Sequence, residues 1–157
     1  MKLIVKKYGG TSVATPTKIK NIAKKIVEES DSNKLVIVLS AMGKTTDNLV
    51  SLAKKCSKNP NLIDYDLLVS SGEQISISLL SMALKDLGKD SVAYTGWQAG
   101  IKTNNAHSTA RILGINANKI KQDLKMKKIV VIAGFQGVNN GSVTVSYTHL
   151  RAHETRI

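Results

Sequence analysis

The chain carries one cysteine, one tryptophan, one phenylalanine and two prolines in 157 residues, and its 11 acidic residues face 23 Lys and Arg. Each scarcity excludes something. A lone thiol, Cys56, cannot staple the fold, and its Lys-rich stretch holds no His or Cys partner for a metal, so stability has to come from core burial. Aromatics at 4%, never interleaved with basic residues, argue against a surface on which bases stack. No uninterrupted apolar run approaches the length that spans a bilayer, and Met1-Lys2-Leu3-Ile4-Val5-Lys6 is too short for a secretory signal. A cytoplasmic protein without a membrane partner is expected. Internal repeats and Pro/Ser-rich linkers are also missing, so nothing divides the first 144 residues into two domains.

What is present is an ordinary globular balance, 42% hydrophobic and 22% charged, enough for one domain with a core. The formal charge of +12 invites a nucleic-acid reading, because clustered cations release counterions from phosphates. Here, however, the lysines are spread along helical faces (Lys18, Lys20, Lys24 and Lys25; Lys119, Lys121 and Lys125). That is the pattern of a solvated surface, and no nucleic-acid partner is expected. Steering of anionic substrates is a milder use of the same field.

The stretch that organises the chain is Val5-Lys6-Lys7-Tyr8-Gly9-Gly10-Thr11-Ser12. An apolar run, Leu3 to Val5, reads as a buried strand that empties into two glycines and two hydroxyls, then Thr15-Pro16 opens an amphipathic helix. Such a junction can hold an anion: the glycines admit a ligand to the backbone, loop N–H groups can point at phosphate oxygens, and Lys7 adds a point charge. The lysine precedes the glycines, so this is not the P-loop. A tight turn at a strand end has the same pattern, and these residues alone leave both readings standing.

Apolar positions Ile19, Ile22, Ala23, Ile26 and Val27 recur at helical spacing, Ser30 to Asn33 stops that helix, and Leu35 to Leu39 is a continuous apolar run of the parallel-strand kind. This β-α-β unit is followed by a second polar strand end, Ser40-Ala41-Met42-Gly43-Lys44-Thr45-Thr46, and another helix. Ligands in open α/β sheets sit at the carboxyl ends of strands, where both loops would lie. A helical region over 62–87 follows, interrupted at Ser70-Ser71-Gly72-Glu73, with a second part too apolar for a surface helix and a stop at Gly88. Glu73 then stands at an opening turn, where a carboxylate either complements the helix dipole or faces a substrate. A strand over 91–95, a loop 96–100 around Trp97, a short strand within 110–115, a helix over 118–125 and a buried strand over 128–133 complete the pattern, and Gly134-Phe135-Gln136-Gly137 ends the last strand.

Residues 145–157 do not share these periods. They hold two of the three histidines, His149 and His153, spaced for one helical face; a metal pair is conceivable there. The stretch more closely resembles a translated sequencing-adapter artefact, in which case the native sequence differs after Thr144.

Several blocks in order carry a resemblance: Lys7-Tyr8-Gly9-Gly10-Thr11-Ser12-Val13, Ser40 to Thr46, Ser71-Gly72-Glu73-Gln74, Tyr94-Thr95-Gly96-Trp97-Gln98-Ala99-Gly100, and Ala133-Gly134-Phe135-Gln136-Gly137. Over 1–144 the chain resembles the amino-terminal part of the aspartate kinases within the amino-acid kinase family. The resemblance implies a three-layer α/β/α fold on an open, mainly parallel sheet, here incomplete. It also implies transfer of the ATP γ-phosphoryl group to the side-chain carboxylate of L-aspartate, the entry to lysine, threonine, methionine and diaminopimelate synthesis. By the same resemblance Lys7 would neutralise the transferring phosphoryl, and Tyr8, Gly9, Gly10 and Ser12 would line the phosphates. Thr46 and Glu73 would bind aspartate, Glu73 taking the amino group, and Phe135 would close the pocket. Mg2+ would arrive with ATP rather than on a protein metal site, and the parent enzyme would be a homo-oligomer.

Rival readings are a sister amino-acid kinase and a non-catalytic aspartate-binding fragment. After Gly141-Ser142-Val143-Thr144 the family continues into an Arg-Gly-Gly-Ser-Asp stretch, a nucleotide-binding half and paired ACT regulatory domains. None stands in this sequence, so the chain alone is expected to have little or no kinase activity.

Overall fold

In the computed structural model, which describes residues 1–146, strands β1 (Lys2–Tyr8) and β2 (Asn33–Leu39) pair in parallel across helix α1 (Pro16–Ser30). The Thr15 side chain caps α1, accepting from the Lys18 N–H at 3.3 Å, and Pro16 opens its first turn. Ile19, Ile22, Ala23 and Ile26 are its buried residues, as their spacing predicts. Helices α2 (Thr45–Cys56) and α3 (Leu62–Asp86) lead to β3 (Ser91–Tyr94). Strands β4 (Ile101–Thr103) and β5 (Ile112–Ile115) precede α4 (Asn118–Lys125), β6 (Ile129–Ala133), β7 (Gln136–Val138) and β8 (Thr144–Ser146).

The main sheet has the order β1-β2-β6-β3, parallel throughout. On one face Leu35, Ile37, Leu39, Val131 and Ala133 pack with Ile19 and Ile26 of α1 and Ile77, Leu80 and Leu84 of α3. On the other, Val36, Val130 and Ile132 meet Ile120 and Leu124 of α4. Helices on both faces explain why β2 and β6 read as unbroken apolar runs rather than alternating ones. Each fully buried Leu or Ile stabilises the fold by about 2 kcal/mol. A smaller sheet, β5-β4-β7-β8, is mixed.

Three expectations need correction. First, β1 is an edge strand whose Leu3 and Val5 are 60% and 63% exposed, because α4 covers the other strands of that face and not β1. Second, α3 is not interrupted at 70–73. The hydroxyls of Ser70 and Ser71 fold back onto the carbonyls of Leu67 and Leu68 at 2.8 and 2.7 Å, so both serines are satisfied within the helix, and Gly72 allows close packing on Ala41. Glu73 therefore sits mid-helix, not in an opening turn. Third, by length and composition this unbroken helix is apolar enough to cross a bilayer, yet half of that stretch is buried in the fold. Asp66, Ser70, Glu73, Ser76 and Ser81 line its buried side, which makes it a core helix. At its far end Gly88 takes φ +78°, the left-handed stop expected there.

Strand β8 includes Val145 and Ser146, the first two residues of the segment read as a tail. Residues 147–157, with His149 and His153, lie outside the described residues.

Candidate functional site

Because the four strands of the main sheet are parallel, their carboxyl ends form one rim. Lys7 and Tyr8 close β1 at that rim, with Gly9 and Gly10 following. Neighbouring side chains of a strand point to opposite faces, and Lys6 turns toward α1, where it pairs with Glu29; that carboxylate raises the lysine pKa above its usual value. Lys7 is on the opposite, open face. The turn itself is closed by the Ser12 N–H donating to the Gly9 carbonyl at 3.0 Å and the Val13 N–H to that of Gly10 at 3.3 Å.

The loop after β2 lies directly on this turn. The Gly43 N–H donates to the Gly10 carbonyl at 2.9 Å, and a Cβ on Gly10 would come within 2.8 Å of the Ala41 carbonyl oxygen. Only glycine permits that approach. Helix α2 begins here without a side-chain cap; its Thr45 N–H donates to the Met42 carbonyl at 2.9 Å, and an anion at this helix start would meet the favourable end of its dipole. Thr46 lies half-buried in that first turn.

Glu73 arrives from below. Gly72 presses α3 against the same loop, its missing Cβ facing the Ala41 Cβ at 2.9 Å, and the Glu73 carboxylate takes the Ala41 backbone N–H. Its Oε2 is buried without a hydrogen-bond partner, one of two such side-chain atoms among the described residues. Burial pushes its pKa up to about 7, against the downward pull of the N–H groups of Glu73 and Ala41. A buried carboxylate oxygen with no donor is costly in isolation and well placed for a ligand cation. Phe135 follows β6 in left-handed backbone, φ +65°, and is half-buried where the Gly134 N–H donates to the Leu39 carbonyl at 2.8 Å. Lys7, Tyr8, Gly9, Gly10 and Ser12 thus stand at or just after the carboxyl end of β1, Thr46 in the first turn of α2 behind the loop after β2 and Phe135 after β6, with Glu73 next to Gly72, which packs on that loop at Ala41.

Two polar residues on the buried side of the site have no individual mark in the sequence. Nothing in Leu62 to Leu68 sets Asp66 apart as a buried carboxylate. Gln136 lies inside one of the blocks that carry the resemblance, and its side chain reaches α3 at the Ser70 carbonyl, 2.9 Å away. At the opposite end of the sheet a cavity of about 490 Å³ is lined by Lys34, Lys89, Lys125, Lys127 and Lys128. Helices α1, α3 and α4 end there, and the lysines offset the partial negative charge of their last carbonyls; that cavity is not on the rim.

Residues 2–147 match the model of the amino acid kinase family. The chain is 51% identical over 146 residues to the aspartokinase of Bacillus sp. (strain MGA3), covering 92% of this chain and 36% of that protein. It superposes on the aspartate kinase from Synechocystis with a TM-score of 0.76 at 37% identity, over 93% of this chain and 24% of that one. E. coli aspartokinase III in complex with aspartate and ADP superposes with a TM-score of 0.77 at 19% identity, over 92% of this chain and 43% of that one, a likeness that shows the fold alone. This chain spans about a third of the length of the curated relatives it matches.

Proposed function

We propose, since the chain belongs to the amino acid kinase family, that it is the amino-acid-binding part of an aspartate kinase, which moves the ATP γ-phosphoryl group onto the side-chain carboxylate of L-aspartate. The observation that carries this reading is the buried, unpartnered Oε2 of Glu73 beside the Gly9–Gly10 turn. An amino acid brings an ammonium for the first, and ATP brings phosphates for the second.

Phosphoryl transfer asks a protein mainly to position and to neutralise charge. Lys7 supplies a compact positive charge on the open face of β1. The backbone N–H groups around Gly9 and Gly10, with Ser12, would approach phosphate oxygens, and Mg2+ would arrive with the nucleotide and supply further neutralisation of its charge. Glu73 takes the amino group of aspartate, Thr46 lies at the same loop, and Phe135 closes the apolar side. The chain matches only 36% of the length of the aspartokinase from Bacillus sp. (strain MGA3), and turnover is assigned to the whole enzyme, a homo-oligomer in the cytoplasm on this reading.

The test is a chimera in which residues 1–144 replace the matching segment of the Bacillus sp. (strain MGA3) aspartokinase. ATP-dependent hydroxamate formation with L-aspartate, and not with L-glutamate or N-acetylglutamate, is the expected result. Preference for either of the latter pair would assign the chain to a sister kinase, while the isolated chain should turn over little or no substrate.

A further inference from the structure

Along its buried side α3 grips one loop after another through polar contacts. Asp66 takes the loop between β4 and β5, Ser70 accepts from Gln136 of β7, Glu73 takes the Ala41 N–H, and the Ser76 hydroxyl donates to the Ser40 carbonyl at 2.8 Å. Glu73 and Ser76 grip the rim loop, and Asp66 has no part in the phosphoryl transfer described above. It is nevertheless fully buried, at 0% exposure, and a carboxylate is kept in such a place only with its hydrogen bonds made.

Those bonds hold one segment in a particular shape. The His107 Nδ1 lies 2.8 Å from Asp66 Oδ2, the Ser108 N–H donates to the same oxygen at 3.1 Å, and the Ser108 hydroxyl reaches Oδ1 at 3.4 Å. The Ser146 hydroxyl completes the set at 2.5 Å. Ser108 has φ +64°, a backbone conformation that a residue with a side chain adopts at a cost and keeps when its surroundings hold it there. Asp66 holds both its amide and its hydroxyl. The rest of the loop is closed on itself, Asn104 Oδ1 accepting from the Arg111 N–H at 3.0 Å and the Asn104 N–H donating to the Arg111 carbonyl at 3.1 Å.

Asp66 and Glu73 are seven residues apart on one unbroken helix, two turns on the same face, about 10 Å along the axis. Gln136, next to Phe135, docks between them. The loop fixed by Asp66 meets β8 where the Ala110 N–H donates to the Ser146 carbonyl at 3.3 Å, and Ser146 pairs with Gln136, whose side chain docks on the Ser70 carbonyl one turn before Glu73. We propose that Asp66 is a positioning residue for the amino-acid site, fixing loop 104–111 against α3 so that this loop backs the strand whose Gln136 docks on α3 one turn from Glu73. The role rests on Glu73 being the amino-acid-binding carboxylate.

The test uses the isotopically labelled 157-residue chain, with L-aspartate binding and amide exchange both followed by NMR. In Asp66→Ala the Ser108 amide should exchange at least ten-fold faster and aspartate affinity should fall at least five-fold, with Gly10 and Gly43 amides unchanged. Asp66→Asn, which keeps an acceptor for the Ser108 N–H, should restore most of both; a purely structural loss would not track that acceptor. Should Asp66→Ala fail to fold, His107→Ala, whose side chain is 15% exposed, tests the same role through a smaller, roughly three-fold loss of affinity. A loosened loop with unchanged affinity, in either variant, overturns the positioning role and leaves the reading of Glu73 intact. A wild-type chain whose spectrum does not respond to aspartate overturns the reading of Glu73, and the role of Asp66 falls with it.

Discussion

Gln136 bridges two elements with one amide: its Nε2 donates to the Ser70 carbonyl of α3 at 2.9 Å, and its Oε1 accepts from the Gly96 N–H at 3.4 Å. The helix that carries Glu73 and the loop that carries Trp97 are thereby tied through β7. Replacement by leucine keeps the volume and leaves the buried Gly96 N–H without an acceptor. Gln136→Leu should lower stability by about 1–3 kcal/mol, read as an earlier midpoint in urea with an unchanged slope.

Gly72 separates intrinsic preference from packing. In an isolated helix alanine would be favoured over glycine by about 1 kcal/mol, but here its Cβ would stand 2.9 Å from the Ala41 Cβ and 3.4 Å from the Thr45 Cγ2. Ala41 is itself pinned between α3 and Gly10, so it cannot yield. Gly72→Ala should destabilise by about 1–3 kcal/mol, and combination with Ala41→Gly should recover most of the loss in thermal unfolding.

The pKa of Glu73, about 7 in the folded chain against an ordinary 4.5, has a definite sign for stability. Between those values the folded state keeps a proton that the unfolded chain has released, so stability is full below about pH 4.5 and declines as pH rises to about 7. The decline is about 3 kcal/mol at most, and Glu73→Gln should flatten it in denaturant titrations across that range. L-aspartate, if its ammonium meets Oε2, should bind more tightly as pH rises through 7, and this dependence should also vanish in Glu73→Gln.

Lys7 and Lys6 are neighbours with opposite orientations, which makes a paired test. In the chimeric enzyme Lys7→Met should reduce kcat by at least about 100-fold while stability changes by less than about 1 kcal/mol. Lys6→Met removes the contact with Glu29 and should leave kcat within about two-fold. Equal activity in the two variants would take Lys7 out of the mechanism.

Much of the architecture was legible locally. Thr15-Pro16 marks the start of α1, the runs 35–39 and 129–133 mark strands covered on both faces, and the β-α-β order puts glycine-ended loops on one edge. The three-residue strands β4, β7 and β8 were not legible, since so few residues hold no period, and the pairing that joins β4 to β7 links positions far apart in the chain. The break expected at 70–73 is absent for a different reason. Two serines and a glycine are breakers by propensity, but the hydroxyls bond within the helix and the glycine serves a contact with Ala41.

By itself the sequence determined what depends on neighbours within a turn or two: the caps, the apolar faces, the strand runs, and the lysine and glycines at the first strand's end. Tertiary structure alone decided that Glu73 is buried mid-helix with one oxygen unpartnered, that Leu3 and Val5 face solvent, and that Asp66 and Gln136 matter at all. The partners of these last two lie 41 and 66 residues away along the chain. Burial and hydrogen-bond satisfaction are properties of the assembled neighbourhood, and no local pattern encodes which distant backbone will arrive beside a given side chain.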